Sequence, residues 1–310
     1  MEPVHVKSVS LIPPYSASLA CLSLLFLSTG EAVVAEEMRK KIRLFAFIVT
    51  TSKYAKQKSA YIKATWARRI ERFLFLSNED DSSLPAIKIV GEDKEQTSFQ
   101  KVLAGLLFAY RHNLTYFDYF IKTEDDAYVV PENLRFLLRS FDSNDPLMMG
   151  HSNEAKGDVS DRVAYVLSRG AVTAVAKGFI NNVPACRNSK LREDVAMATC
   201  AHSVGVRFIP SMDDHGKQCF HSVAPSVLAN YMASQTSMWI PRRTATGIAT
   251  APNWFSDHSA LFHRVPEEEM YVLEYLIYHL YPYGVFRDPG IYGRALRLLS
   301  VALPKNVLTR

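Results

Sequence analysis

The stretch Tyr116-Phe117-Asp118-Tyr119-Phe120-Ile121-Lys122-Thr123-Glu124-Asp125-Asp126-Ala127-Tyr128-Val129 decides the fold. Aromatic and β-branched residues from Tyr116 to Ile121 predict a buried strand, and the chain then meets three consecutive acids. Pro131 follows at a first helical turn, with Leu134, Leu137 and Leu138 at the spacing of a helix's apolar side. Acids at the C-terminal end of a central strand lie where open α/β sheets bind ligands. Three carboxylates so close repel one another, and a divalent cation is the natural way to hold them together. A hard cation with open positions can then grip a diphosphate. For an isolated Glu-Asp-Asp the plainer reading is a solvated acidic turn, so the flanking sequence has to decide.

Upstream, Leu44 to Thr50 reads as a first, buried parallel strand. A helix through Lys58 to Arg69, strands at Phe73–Ser77 and Ala86–Val90, and a helix from Ser98 to Tyr110 follow. Downstream, Leu147–Gly150 and Arg162–Ser168 predict strands, and a helix runs from Arg169 to Phe179. Another helix begins at Arg192, with Glu193 and Asp194 in its first turn, where acids also satisfy the helix dipole. Val206–Ile209 is a short strand, and residues 210 to 265 are loop-rich with His215, His221, His258 and His263. Glu267 to Tyr281 is an amphipathic helix with Met270, Leu273, Leu276, Ile277 and Leu280 on one side. Strands alternating with helices predict an α/β fold with a mostly parallel, doubly wound sheet.

With 310 residues, 48% of them hydrophobic, the chain can bury a large core as one domain or two small ones. The net charge of +5 is mild and its basic residues are scattered. That excludes a nucleic-acid stripe and suits an anionic substrate such as a sugar nucleotide. From Ser8 to Gly30 no residue is charged, and Ala17 to Leu27 is strongly apolar. Pro13 and Pro14 shorten this run below the ~20 residues of a membrane span. Val33-Val34-Ala35 offers small residues for signal peptidase. A signal peptide and a short signal anchor are both open, and either sends the chain to the secretory lumen. Asn113-Leu114-Thr115 is a glycosylation sequon. Cys21 sits in the leader; of the body's Cys186, Cys200 and Cys219, the first two bracket a short loop and are expected to pair, leaving Cys219 odd. No C-x-x-C spacing supports a metal site on these thiols.

Three blocks resemble the core 1 β1,3-galactosyltransferase branch of glycosyltransferase family 31, which also contains the fringe enzymes. Lys63-Ala64-Thr65-Trp66-Ala67-Arg68-Arg69 is similar to that branch's K-A-T-W-A-x-R helix. Lys122 to Val129, continuing to Asn133-Leu134-Arg135, resembles its K-A-D-D-D-T-Y-V strand end. Tyr271-Val272-Leu273-Glu274-Tyr275-Leu276-Ile277-Tyr278-His279-Leu280-Tyr281-Pro282-Tyr283-Gly284 is similar to its Y-E-L-E-Y-L-V-Y-H-L-R-P-Y-G signature. The blocks keep the family order, across roughly residues 43 to 287.

The resemblance implies a GT-A type nucleotide-sugar fold over residues 43–287, preceded by a leader and stem at 1–42 and followed by a basic tail at 288–310. It implies an inverting, manganese-dependent galactosyltransferase that moves galactose from UDP-galactose to O3 of O-linked N-acetylgalactosamine on glycoproteins. A type II membrane protein or cleaved lumenal protein of the Golgi or ER follows, with a homodimer left open. By similarity Glu124, Asp126 and His263 would bind the metal, with His221 as runner-up, and Asp125 would contact ribose or the donor sugar. The family's Glu-Asp pair maps onto Glu193-Asp194, which makes Asp194 the base for the acceptor hydroxyl. Thr51, Lys58 and Lys101 resemble uridine and phosphate contacts, and Trp239 an aromatic of the acceptor platform.

Several positions depart from the branch. Ser160 to Ala164 replaces a glycine-rich turn, Trp254-Phe255 replaces paired cysteines, and Met238 to Pro241 thins a tyrosine-rich acceptor segment. Glu124 stands in place of Asp, and Arg264 in place of Tyr after the metal histidine. These losses keep two rivals open: a non-catalytic, chaperone-like paralogue of the galactosyltransferase, and a fringe-like β1,3-N-acetylglucosaminyltransferase. The loop Asp213-Asp214-His215-Gly216-Lys217 leans toward the chaperone, while Glu124-Asp125-Asp126, Asp194 and His263 lean against it.

Overall fold

The computed structural model describes residues 34–50, 52–77, 85–88, 95–153, 158–159, 164–187, 191–233 and 255–280. The apolar leader, Thr51, Trp239 and the basic tail lie outside the described residues. The chain divides into two units, Met38–His279 and a second made of both ends, Met1–Glu37 with Leu280–Arg310. No described helix is long and apolar enough to cross a membrane.

The first unit is built on a seven-stranded sheet. In chain order its strands are β1 (Leu44–Val49), β2 (Arg72–Ser77), β3 (Ala86–Lys88), β4 (Tyr119–Glu124), β6 (Leu147–Gly150), β9 (Tyr165–Ser168) and β10 (Arg207–Pro210). Their order across the sheet is β10-β6-β9-β4-β1-β2-β3. Only β9 runs antiparallel to its neighbours, β4 and β6. The expected α/β class, with a mostly parallel sheet flanked by helices as in a GT-A type fold, is present.

Alternation along β1 shows why helices cover both faces. Leu44, Ala46 and Ile48 face a cluster that includes Ile62 of α1 (Ser52–Ala64), Leu134 of α3 (Pro131–Leu138) and Met270 of α7 (Glu267–Tyr278). Phe45 and Phe47 face the other cluster with Val102 of α2 (Glu95–His112), Val172 of α4 (Arg169–Ile180) and Met197 of α5 (Glu193–Ser203). Phe45 and Phe47 are fully buried, and burial of such a side chain stabilises by about 2–3 kcal/mol. A strand apolar on both faces belongs in the middle of a sheet, and β1 lies between β2 and β4.

A second, small sheet does the positioning. It joins β11 (Phe220–His221), β12 (Leu261–Phe262) and β5 (Tyr128–Val129) in the order β11-β12-β5, while β7 (Ser152–Asn153) pairs with β8 (Asp158–Val159) and helix α6 (Pro225–Ala233) follows β11 in the chain. The antiparallel register pairs Phe262 with Tyr128 and Leu261 with Val129. It therefore brings the residue after β12 back against the acids before β5. Cys186 and Cys200 form the expected disulfide, which ties the turn Pro184–Arg187 to α5, and Cys219 is free and buried.

Four expectations are corrected. The strand of the acid stretch begins at Tyr119: Tyr116 sits in a 3-10 turn (Leu114–Tyr116) and is 64% exposed, and Glu124 is the last strand residue. The helix expected up to Arg69 ends at Ala64, where Thr65 Oγ1 donates to Tyr61 O and a 3-10 turn buries Trp66. On α7 the buried stripe is Met270, Leu273 and Glu274, while Leu276 is exposed. Glu274 turns inward because Arg68, Arg69 and the Tyr128 hydroxyl satisfy its carboxylate. The sequon asparagine, Asn113, is buried, which leaves little of its side chain at the surface for a glycan.

Candidate metal and donor site

The acids leave the C-terminal end of β4, next to the end of β1, which is the ligand-binding edge of a parallel sheet. The turn after Glu124 is fixed from behind by Trp66, whose indole Nε1 donates to Ala127 O at 3.0 Å. From the other side Val265 N donates to Asp126 O at 2.8 Å. Ligand atoms of Glu124, Asp126 and His263 all lie within 4.8 Å of one another. His263 Nε2 is 3.0 Å from Asp126 Oδ1 and 3.6 Å from Glu124 Oε2.

Electrostatics couple these groups tightly. Burial pulls the His263 imidazole down, yet the close Asp126 and Glu124 carboxylates outweigh it and hold it up at about 9. Burial would raise Glu124, but His263 and Lys122 bring it down to about 2. Asp126 Oδ1 and both His263 ring nitrogens are buried and make no well-aligned hydrogen bond. Buried orphan atoms call for an explanation, and two carboxylates with an imidazole suit one divalent cation. The donor set fits such a cation.

Asp125 points elsewhere. Its Oδ2 accepts from Thr50 Oγ1 at 2.7 Å and its Oδ1 from Lys58 Nζ at 3.0 Å. Burial raises the Asp125 carboxyl in spite of these partners. For Lys58, burial is outweighed by Asp125, and the ammonium pKa rises. A cleft of about 190 Å³ opens here, lined by Lys58, Asp125, Asp126, Arg264, Val265 and Glu267.

A buried network continues toward α5. Lys122 pairs with Glu193 Oε2 at 2.6 Å and lies 3.6 Å from Glu124 Oε1. Tyr165, opposite Lys122 in the β4–β9 register, donates its hydroxyl to Glu193 Oε1 at 2.6 Å. Burial would lower Lys122, but the charges of Glu193 and Glu124 hold it charged. Asp194 is 2% exposed, and both of its oxygens are held at 2.6 Å by the guanidinium of Arg192.

Glu124, Asp125, Asp126, His263 and Lys58 are thus brought together. Lys101 is buried on α2 and does not line the cleft. His221 is set apart on β11: it bonds Ser259 Oγ at 2.9 Å, stacks on Phe262, and burial pushes its pKa down to about 3. It is a packed histidine outside the acid cluster. The sequence signals no site role for Trp66, Lys122 or Tyr165. A lone lysine inside an apolar strand was the available clue, since a buried ammonium needs a counter-ion.

A family model described as Fringe-like matches residues 40–239. The chain is 32% identical over 256 residues to glycoprotein-N-acetylgalactosamine 3-beta-galactosyltransferase 1 of Xenopus laevis, covering 81% of this chain and 70% of that protein. It is 21% identical over 171 residues to beta-1,3-glucosyltransferase of Mus musculus, covering 54% of this chain and 35% of that one. A match to chondroitin sulfate synthase 3 of Homo sapiens is 27% identical over 38% of this chain and 14% of that protein. Among solved structures, a glycosyltransferase involved in glycosylation of the major capsid of PBCV-1 aligns with a TM-score of 0.40 at 12% identity, over 74% of this chain and 99% of that one. The galactosyltransferase LgtC, with donor and acceptor analogues, aligns at 0.37 and 11% identity, over 85% and 98%.

Proposed function

The chain belongs to the Fringe-like glycosyltransferase family, and from that premise we propose that it is an inverting, manganese-dependent galactosyltransferase. It would move galactose from UDP-galactose to O3 of an O-linked N-acetylgalactosamine on glycoproteins, in the lumen of the Golgi or ER. The observation that carries this reading is the cluster of Glu124, Asp126 and His263 beside an open cleft.

A bound divalent cation supplies Lewis-acid stabilisation of the charge that grows on the leaving diphosphate. Glu124, Asp126 and His263 would hold it. Asp125, fixed by Thr50 and Lys58, presents a carboxylate to donor hydroxyls. Asp194 takes the proton of the acceptor hydroxyl as its oxygen attacks the anomeric carbon from the face opposite the diphosphate. Lys122, Glu193 and Tyr165 hold the start of α5, and so Asp194, against the acid strand. Thr51 and Trp239 keep their roles as donor and acceptor contacts in this reading.

One observation favours a non-catalytic, chaperone-like second reading: the guanidinium of Arg192 occupies both oxygens of Asp194. Turnover separates the two. Purified protein given UDP-galactose, manganese and an N-acetylgalactosamine glycoside releases UDP if it is a galactosyltransferase. Donor binding without UDP release would favour the second reading.

A further inference from the structure

Arg264 adopts a backbone shape that its side chain does not favour. Its φ is 55°, in the left-handed region that suits glycine. Both neighbours lie against the acid turn: His263 Nε2 is 3.0 Å from Asp126 Oδ1, and Val265 N donates to Asp126 O at 2.8 Å. The strained residue is pinned between them, and strain held by its surroundings is a pointer to function.

The side chain is exposed and lines the cleft beside Asp125 and Asp126. Among the described residues no carboxylate or carbonyl pairs with its guanidinium. Lys58, the other cation of the cleft, is already committed to Asp125 at 3.0 Å. Asp125, Asp126 and Glu267 would otherwise make this cleft repel an anion. A planar guanidinium with free donors is the group that grips phosphate oxygens in pairs.

We propose that Arg264 is the anion grip of this cleft: it binds the diphosphate of a nucleoside diphosphate, and its left-handed backbone is retained because it aims the guanidinium at that group. The assignment rests on the donor-site reading above and adds a residue to it.

Calorimetric titrations of the full chain with UDP plus manganese, and with uridine plus manganese, test it on wild type, Arg264→Gln and Arg264→Gly. Both variants should lose about tenfold to a hundredfold in UDP affinity, the loss of one charge-assisted contact, with uridine binding unchanged. Arg264→Gly should melt at or above wild type, because glycine accepts this φ without strain. If wild type binds UDP and both variants bind it as tightly, Arg264 is not the grip, and the donor site stands without it. If wild type binds no UDP in manganese, the donor-site reading fails and takes this assignment with it.

Discussion

His263 Nε2 lies 3.0 Å from Asp126 Oδ1, although one follows β12 and the other follows β4. The pairing of β12 with β5 creates this proximity, since the two-residue register delivers the histidine onto the turn between β4 and β5. The geometry of the candidate metal cluster is therefore a property of the small sheet as well as of the acids.

Asp194→Asn should lower turnover roughly 10²- to 10⁴-fold, the usual contribution of a positioned base. UDP and manganese binding should stay at the wild-type level, because Asp194 is outside the acid cluster. Paired steady-state kinetics and calorimetry check this; equal turnover in the variant would remove Asp194 from the mechanism.

Glu274 holds together the 3-10 turn Trp66–Arg69, strand β5 and α7, through Arg68, Arg69 and Tyr128. Its side chain is only 8% exposed, so Glu274→Ala strands Arg69 and the Tyr128 hydroxyl. Urea unfolding should show a loss of roughly 3 kcal/mol. A change under half that would make the cluster a minor contributor.

Cys219 is a buried thiol whose pKa is pushed up to about 11 by burial. The folded chain holds this proton more tightly than the unfolded one. Its contribution to stability is therefore full below about 9 and is lost as pH rises toward 11. Iodoacetamide at pH 8, followed by peptide mapping, should leave Cys219 unmodified until urea unfolds the protein. Prompt labelling of the folded chain would contradict its burial.

The buried Asn113 should carry no glycan when the chain is made in the secretory pathway. Mass spectrometry of the peptide containing Asn113 decides this, and an occupied site on folded, soluble protein would overturn the packing described at the end of α2.

The large sheet and the acid turn are legible in the sequence because their signals are strong and local. β1 is apolar on both faces, and Pro131 marks the start of α3. The small sheet is not legible, because strands of two residues leave no periodicity to read, and it alone separates His263 from His221. Lys122 is visible as an oddity, but its partner Glu193 lies 71 positions along the chain at the start of α5, and only the tertiary fold brings the two together. The inward turn of Glu274 is equally hidden, since its satisfaction depends on Arg68 and Arg69 from another block. Thr51 and Trp239 fall outside the described residues and stand on resemblance alone.

The most direct test is calorimetric titration of UDP into the full chain, with manganese and then with chelator. We expect binding in manganese that chelator removes, and that Asp126→Ala and His263→Ala each weaken more than about a hundredfold, beyond the usual loss for an outer-shell partner. UDP binding that is indifferent to manganese, or that survives both substitutions, would contradict the metal-site account.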